Sequence, residues 1–256
     1  MPNISQLIAD STLKLKCAYL SDDFVHNLKI HDKNGDLKLF HKILWDYLPD
    51  SEPIVQEKLA KQISIAVRHF GADIVLGLES SGIGLAALSS VYSKSKFGFI
   101  RKQRKDYGLQ NLVEGHFGKK NKVVIVDNFL FTGGSAVRAI NVVKKSGFVI
   151  KGVIFADSFK NLPKVKELSN YPNKTIVDNT KKIEYLIKKE YFPNKLNHYV
   201  SLYVNTPAAF FENSPVYNDY KKQLNNYKNI DIIKIHKSNR ESISRISVIK
   251  KLFGKK

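Results

Sequence analysis

The stretch VVIVDNFLFTGGSAVRAI, Val123 to Ile140, sets the reading of this chain. Four β-branched residues run into Asp127, a short turn holds Thr132, Gly133, Gly134 and Ser135, and an amphipathic segment follows that ends at Lys145, Ser146 and Gly147. An unbroken apolar run is the pattern of a strand covered on both faces, and the spacing after the glycines is helical. Strand, acid, glycine turn and helix in that order bring backbone N–H groups and hydroxyls together at a helix start, where they surround a phosphate and the helix dipole favours its charge. Glycine lets the backbone approach the anion closely.

The same alternation continues on either side. Ser51, Glu52 and Pro53 start a helix whose apolar face is Val55, Leu59, Ile63, Ala66, Val67 and Phe70. Strands are predicted at 74–78, 97–100, 123–126, 152–156 and 175–177, and helices after Gly82, over 135–145 and over 181–189, with a polar, basic loop at 101–120. Short apolar strands separated by helices predict an α/β fold with a parallel sheet covered on both faces, ligands binding at the carboxyl ends of its strands. Three turns fall at such ends: Glu79 to Gly82, the loop after Ile100, and Asp127 to Ser135.

The turn at 132–135 is not a Walker A loop, because no Gly-Lys-Ser/Thr ends it, and Gly82, Gly84 and Ala87 do not make a dinucleotide fingerprint. No Gly-x-Ser-x-Gly elbow surrounds Ser80 and Ser81. The seven histidines are scattered without metal-ligand spacing and Cys17 is the single cysteine, so no protein-built metal centre and no internal disulfide is predicted.

With 256 residues, 43% of them hydrophobic, the chain is long enough for a well-buried core. No apolar run approaches the ~20 residues of a spanning helix, and the opening residues have polar breaks where a signal peptide is apolar, so a cytoplasmic protein without membrane contact is expected. Lys and Arg number 42 against 23 acids, a net charge of +19 that favours polyanionic partners. From Tyr220 to Lys256 there are 11 basic and 2 acidic residues, and aromatics cluster from Tyr191 onward (Tyr199, Tyr203, Phe210, Phe211, Tyr217, Tyr220, Tyr227). This part reads as an appendage ending in a basic helix with Ile243, Ile246 and Ile249.

The segment VVIVDNFLFTGGS resembles the signature of the type I phosphoribosyltransferases, an apolar strand, two acids and then Thr-Gly-Gly-Ser or a close variant. RKQRKDYGLQNLVEG, Arg101 to Gly115, is similar to the Arg-Lys-x-x-Lys-Asp-His-Gly loop of the orotate phosphoribosyltransferases, and YPNKTIVDNTKKIEYLIKKE extends the likeness, which covers about residues 51–192. The resemblance implies a Rossmann-like core at 51–192, an N-terminal hood-like region at 1–50 and a basic C-terminal extension at 193–256. It also implies transfer of a phosphoribosyl group from phosphoribosyl pyrophosphate (PRPP), with Mg²⁺ bound mainly through the PRPP, by a homodimer.

On that resemblance, Asp127 and Asn128 meet the ribose hydroxyls, and Thr132, Gly133, Gly134 and Ser135 hold the 5-phosphate. Ser80, Ser81 and Gly82 approach the pyrophosphate, which Arg101, Lys102 and Lys105 neutralise. Asp127 and Lys105 are then the catalytic residues. Breaking the ribose C1–O bond leaves a cationic sugar and a highly charged leaving group, so cations on one side and an acid on the other stabilise what develops.

Four positions depart from the pattern. Asn128 replaces the second acid, Phe131 stands at the acceptor pocket where a small residue is usual, Ser81 replaces a Lys, and Tyr107 replaces the loop His. The segment that holds orotate has no counterpart, and Asp157, Ser158 and Phe159 stand where an Arg is expected, which argues against orotate as acceptor. Two readings stay open: a phosphoribosyltransferase with another acceptor, and a divergent module without ordinary turnover that acts as a sensor or effector tied to RNA or DNA through the basic extension.

Overall fold

The computed structural model describes residues 4–15, 18–21, 28–31, 37–40, 44–45, 52–103, 111–115, 117–118, 120–158, 164–205, 215–227, 229–230 and 233–234. Helix α1 (Ile4–Leu15) leads into four short strands, β1 (Ala18–Ser21), β2 (Leu28–His31), β3 (Leu37–Phe40) and β4 (Leu44–Trp45). The central part follows as α2 (Pro53–His69), β5 (Ile74–Leu78), α3 (Ser81–Ser93), β6 (Lys96–Ile100), β7 (Val113–Glu114), β8 (Lys122–Leu130), α4 (Gly134–Lys145), β9 (Val149–Ser158), a 3-10 turn (Lys166–Asn170), β10 (Asn173–Asp178) and α5 (Asn179–Lys188). Helices α6 (Asn194–Asn205) and α7 (Pro215–Asn225) and strand β11 (Ile233–Lys234) complete it.

The six-stranded sheet runs β10-β9-β8-β5-β6-β7, parallel throughout except for the short antiparallel edge β7. The chain steps from β5 outward to β6 and then returns across β5 to β8, so the connections leave β5 and β8 in opposite directions. In doubly wound sheets this reversal opens a crevice at the strands' carboxyl ends. Here the crevice is deepened by unequal pairing. β8 pairs with β5 only as far as Val126, and continues to Leu130 on β9 alone.

Side-chain alternation along the strands builds a core on each face. Ile74, Leu76, Val123, Ile125 and Val153 pack with Ala136, Ala139, Ile140 and Val143 of α4. Val75, Val124, Val126 and Ile154 pack with Val55, Leu59, Ile63 and Val67 of α2 and with Leu85 and Ala86 of α3. The helical and strand periodicities read from the sequence correspond to these elements. Differences fall at their ends: Asp127 and Asn128 lie inside β8 rather than in a turn, β9 extends to Ser158, and the basic loop contains β7, because Val113 is buried against the sheet edge.

Beyond the sheet, Tyr199, Tyr203, Tyr220 and Leu224 of α6 and α7 bury their side chains with Ile183, Leu186 and Phe192, Ala9 of α1 and Phe129 of β8. These tyrosines serve packing, and Tyr199 also donates its hydroxyl hydrogen to Asp219. β11 pairs parallel with β1, which pairs antiparallel with β4, so the C-terminal part shares a small sheet with the N-terminal strands. Residues 243, 246 and 249 lie outside the described residues.

Asp157 and Lys182 form a buried ion pair between the end of β9 and α5. Burial pushes the Asp157 carboxyl up, while the Lys182 charge opposes that rise. Removing one member of such a pair strands the other charge in an apolar interior. Lys182→Met is therefore expected to lower unfolding free energy by about 3–5 kcal/mol. The double variant Lys182→Met with Asp157→Leu is expected to recover most of the loss, both being read from urea unfolding.

Candidate functional site

The crevice at the β5–β8 reversal holds a pocket of about 440 Å³. Its wall comes from the ends of three strands and the starts of two helices. Glu79, Ser80 and Ser81 follow β5, Arg101 and Lys102 follow β6, Asp127, Asn128, Phe129 and Phe131 belong to β8 and its end, and Ser135 and Arg138 stand on α4. Ile100, Leu112, Ala139 and Val142 add an apolar floor.

Two glycines set the spacing. A Cβ on Gly82 would lie 2.4 Å from the Val126 carbonyl oxygen, and one on Gly77 would lie 2.7 Å from the Gly82 carbonyl oxygen. Only hydrogen at both positions lets α3 begin directly on the sheet, beside Asp127. Gly133 has φ +89° and is the N-cap of α4, a left-handed conformation that glycine adopts without steric cost. The Thr132 carbonyl accepts the Val165 N–H at 2.7 Å, and Leu168 lies against Gly133, so the residues before the 3-10 turn brace this loop from behind.

The charged groups are arranged by partner. Arg101 contacts Glu114 at 3.3 Å and donates its backbone N–H to the Leu112 carbonyl at 2.8 Å. Glu79 accepts the Lys102 backbone N–H at 2.6 Å, which ties the turn after β5 to the turn after β6. Asp127 accepts the Asn128 backbone N–H at 2.8 Å. Burial nevertheless pushes the Asp127 carboxyl up to about 6, against the pull of that hydrogen bond and of the Lys102 charge.

Of the residues singled out in the sequence, the structure brings Ser80, Ser81, Arg101, Lys102, Asp127, Asn128, Phe131 and Ser135 to this one pocket. Gly82, Thr132, Gly133 and Gly134 shape its two backbone turns. Lys105 and Tyr107 lie outside the described residues. The sequence reading missed Glu79, Phe129 and Arg138. Phe129 stacks on Phe131 with ring centroids 4.3 Å apart, a contact suggested by their i, i+2 spacing at a strand end. Arg138 follows Ser135 by three residues, the helical spacing that places it on the same face.

Asp127 links protonation to folding. Its carboxyl is held above the ordinary carboxylate range, so the native state keeps a proton that the unfolded chain releases. Stability contributed by the neutral form is present below about pH 4 and lost as the pH rises to about 6. Asp127→Asn is expected to unfold at neutral pH with about 1–3 kcal/mol more stability than the wild type. The difference should vanish below pH 4 in unfolding titrations at a series of pH values.

No family model matches the chain. Over 134 residues it is 30% identical to the orotate phosphoribosyltransferase of Cytophaga hutchinsonii, covering 48% of this chain and 63% of that protein. Over 143 residues it is 29% identical to the orotate phosphoribosyltransferase of Listeria innocua, covering 54% and 68%. The chain spans between half and two thirds of the length of the first curated relatives it matches. Among solved structures, UMP synthase of Leishmania donovani superposes with a TM-score of 0.59 at 17% identity over 77% of this chain and 41% of that one. An orotate phosphoribosyltransferase from Aeropyrum pernix superposes with a TM-score of 0.54 at 20% identity over 70% and 97%. The structural likenesses speak for the fold, and the curated relatives carry the kinship in sequence. The chain is thus similar in sequence, at about 30% identity over about half of its length, to orotate phosphoribosyltransferases, and it shares the α/β fold of the phosphoribosyltransferase structures on which it superposes.

Proposed function

We propose that the protein binds PRPP in the β5–β8 crevice and transfers its phosphoribosyl group to an acceptor other than orotate, releasing pyrophosphate. The observation that carries this reading is the convergence of Ser80, Ser81, Arg101, Lys102, Asp127, Asn128 and Ser135, from four separate stretches of chain, on one pocket. Cations after β6 and hydroxyls after β5 suit a pyrophosphate, and the 132–135 turn suits the 5-phosphate. Asp127 lies between these two ends, where a carboxylate orients ribose hydroxyls and offsets positive charge developing on the sugar. Asn128 keeps a hydrogen-bonding group beside it without adding a second negative charge.

Among the described residues no cluster of three acidic, histidine or cysteine side chains offers a metal cage. Magnesium binds through one or two carboxylates together with substrate phosphates, and the pocket's acidic oxygens are those of Asp127 and Glu79. This donor set fits an ion carried in with PRPP and steadied by Asp127. When bound, the ion neutralises charge on the departing pyrophosphate. The chain's own part is to hold the two phosphate-bearing ends apart, keep Asp127 against the ribose and exclude water with the apolar floor.

The acceptor side is aromatic. Phe131 lines the pocket and is backed by Phe129, which lies opposite Asp157 in the β8–β9 register. Asp157 pairs with Lys182, so the cation that α5 brings to the end of β9 is already matched by a carboxylate. An aromatic acceptor without a carboxylate fits this wall better than orotate.

Calorimetric titration of PRPP with Mg²⁺ into wild type and Asp127→Ala tests the reading. The expected result is saturable binding by the wild type and a loss of at least about tenfold in the variant, the size of effect expected for a charge-assisted hydrogen bond. Unchanged affinity in Asp127→Ala would overturn the assignment. Binding should also weaken as the pH falls through about 6, where Asp127 takes up its proton.

A further inference from the structure

The cations of the pocket differ in their commitments. Arg101 is held by Glu114, and the backbone of Lys102 is tied to Glu79 while its charge acts on Asp127. Both stand at the end of β6, the side that suits a pyrophosphate. Arg138 lines the same pocket from α4, is exposed, and makes no ion pair among the described residues.

Helix geometry places this residue over the turn. α4 begins at Gly134, and Ser135, Arg138 and Val142, at i, i+3 and i+7, all line the pocket. Every Cα–Cβ bond of an α-helix tilts toward the N-terminus, so a long side chain at 138 extends back over the first turn. That turn consists of Thr132, Gly133, Gly134 and Ser135, whose hydroxyls and N–H groups carry dipoles but no formal charge. A phosphate monoester carries up to two negative charges at neutral pH.

We propose that Arg138 binds the 5-phosphate of the phosphoribosyl ligand, closing over the 132–135 turn from the second turn of α4. The inference rests on the reading of the site given above. The planar guanidinium fork matches two phosphate oxygens at once, which a lysine ammonium at the same position does not reproduce. Ile100, Leu112, Ala139 and Val142 line the same pocket, and a ligand that covers this apolar lining lowers the dielectric around the pairing. Arg138 thereby selects ligands bearing a terminal phosphate at the ribose 5-position, independently of the pyrophosphate contacts.

Separate titrations of PRPP and of inorganic pyrophosphate, each with Mg²⁺, into wild type, Arg138→Gln and Arg138→Lys provide the test. Arg138→Gln is expected to weaken PRPP binding about 10- to 100-fold, the range for a lost charge-assisted bond, with Arg138→Lys between it and the wild type. Pyrophosphate affinity should change by less than about twofold, because its contacts fall to the residues after β5 and β6, Ser80, Ser81, Arg101 and Lys102. Arg138 is exposed on its helix, so the variants should keep the wild-type melting temperature. PRPP affinity that is indifferent to Arg138→Gln, in a protein whose PRPP binding depends on Asp127, overturns this inference alone. Equal losses for PRPP and pyrophosphate also overturn it, since they mark a general field effect. A wild type that binds neither ligand removes the reading of the site and this inference together.

Discussion

The contact on which the site depends is the approach of Gly82 to the Val126 carbonyl. A Cβ at Gly82 would meet that oxygen at 2.4 Å, so the first turn of α3 sits on the sheet only because the side chain is a hydrogen. Gly77 repeats the device one layer below. Together they draw the turn after β5 against β8 at the point where β8 has lost β5 as a partner. The hydroxyls of Ser80 and Ser81 and the carboxylate of Asp127 then share one crevice. The remainder of the core supports that placement, with α2 and α3 closing one face of the sheet and α4 the other.

Within the crevice the electrostatics run against stability. Asp127 is buried far enough for its carboxyl to be pushed up to about 6, and neither the Asn128 N–H nor Lys102 restores an ordinary value. A folded chain that keeps an acid in such a place sacrifices stability at neutral pH, as sites built for charged ligands commonly do. The cations lie to either side of it, Arg101 and Lys102 after β6 and Arg138 on α4, while the β9 side is lined by stacked phenylalanines. The pocket is thus polarised across the sheet, cationic toward β6 and aromatic toward β9.

Much of this was legible in the sequence because it is local. The run Val123–Val126, the glycine turn and the periodicity of α2 and α4 are short-range patterns governed by backbone sterics and one-sided burial, and they correspond to β8, its turn and its flanking helices. Less legible were features that need a partner distant in sequence. Val113 and Glu114 are a strand only because β6 offers an open edge. Tyr199, Tyr203 and Tyr220 read as an aromatic, basic appendage, yet they are buried against α5 and Phe129. Asp157 marks the end of an apolar strand in sequence, and its neutralisation by Lys182, 25 residues on, appears only once α5 folds back.

The sequence by itself determined the order of strands and helices, the glycine turn before α4 and the identity of most groups that meet in the crevice, because each is set by residues within a few positions of one another. Only the tertiary structure decided that β5 lies between β6 and β8, that Glu79 joins the turn holding Lys102, that Phe129 backs Phe131, and that Arg138 stands over the crevice. These are consequences of strand order and close packing. Both depend on which surfaces find each other once water has been excluded, and no local pattern encodes that choice.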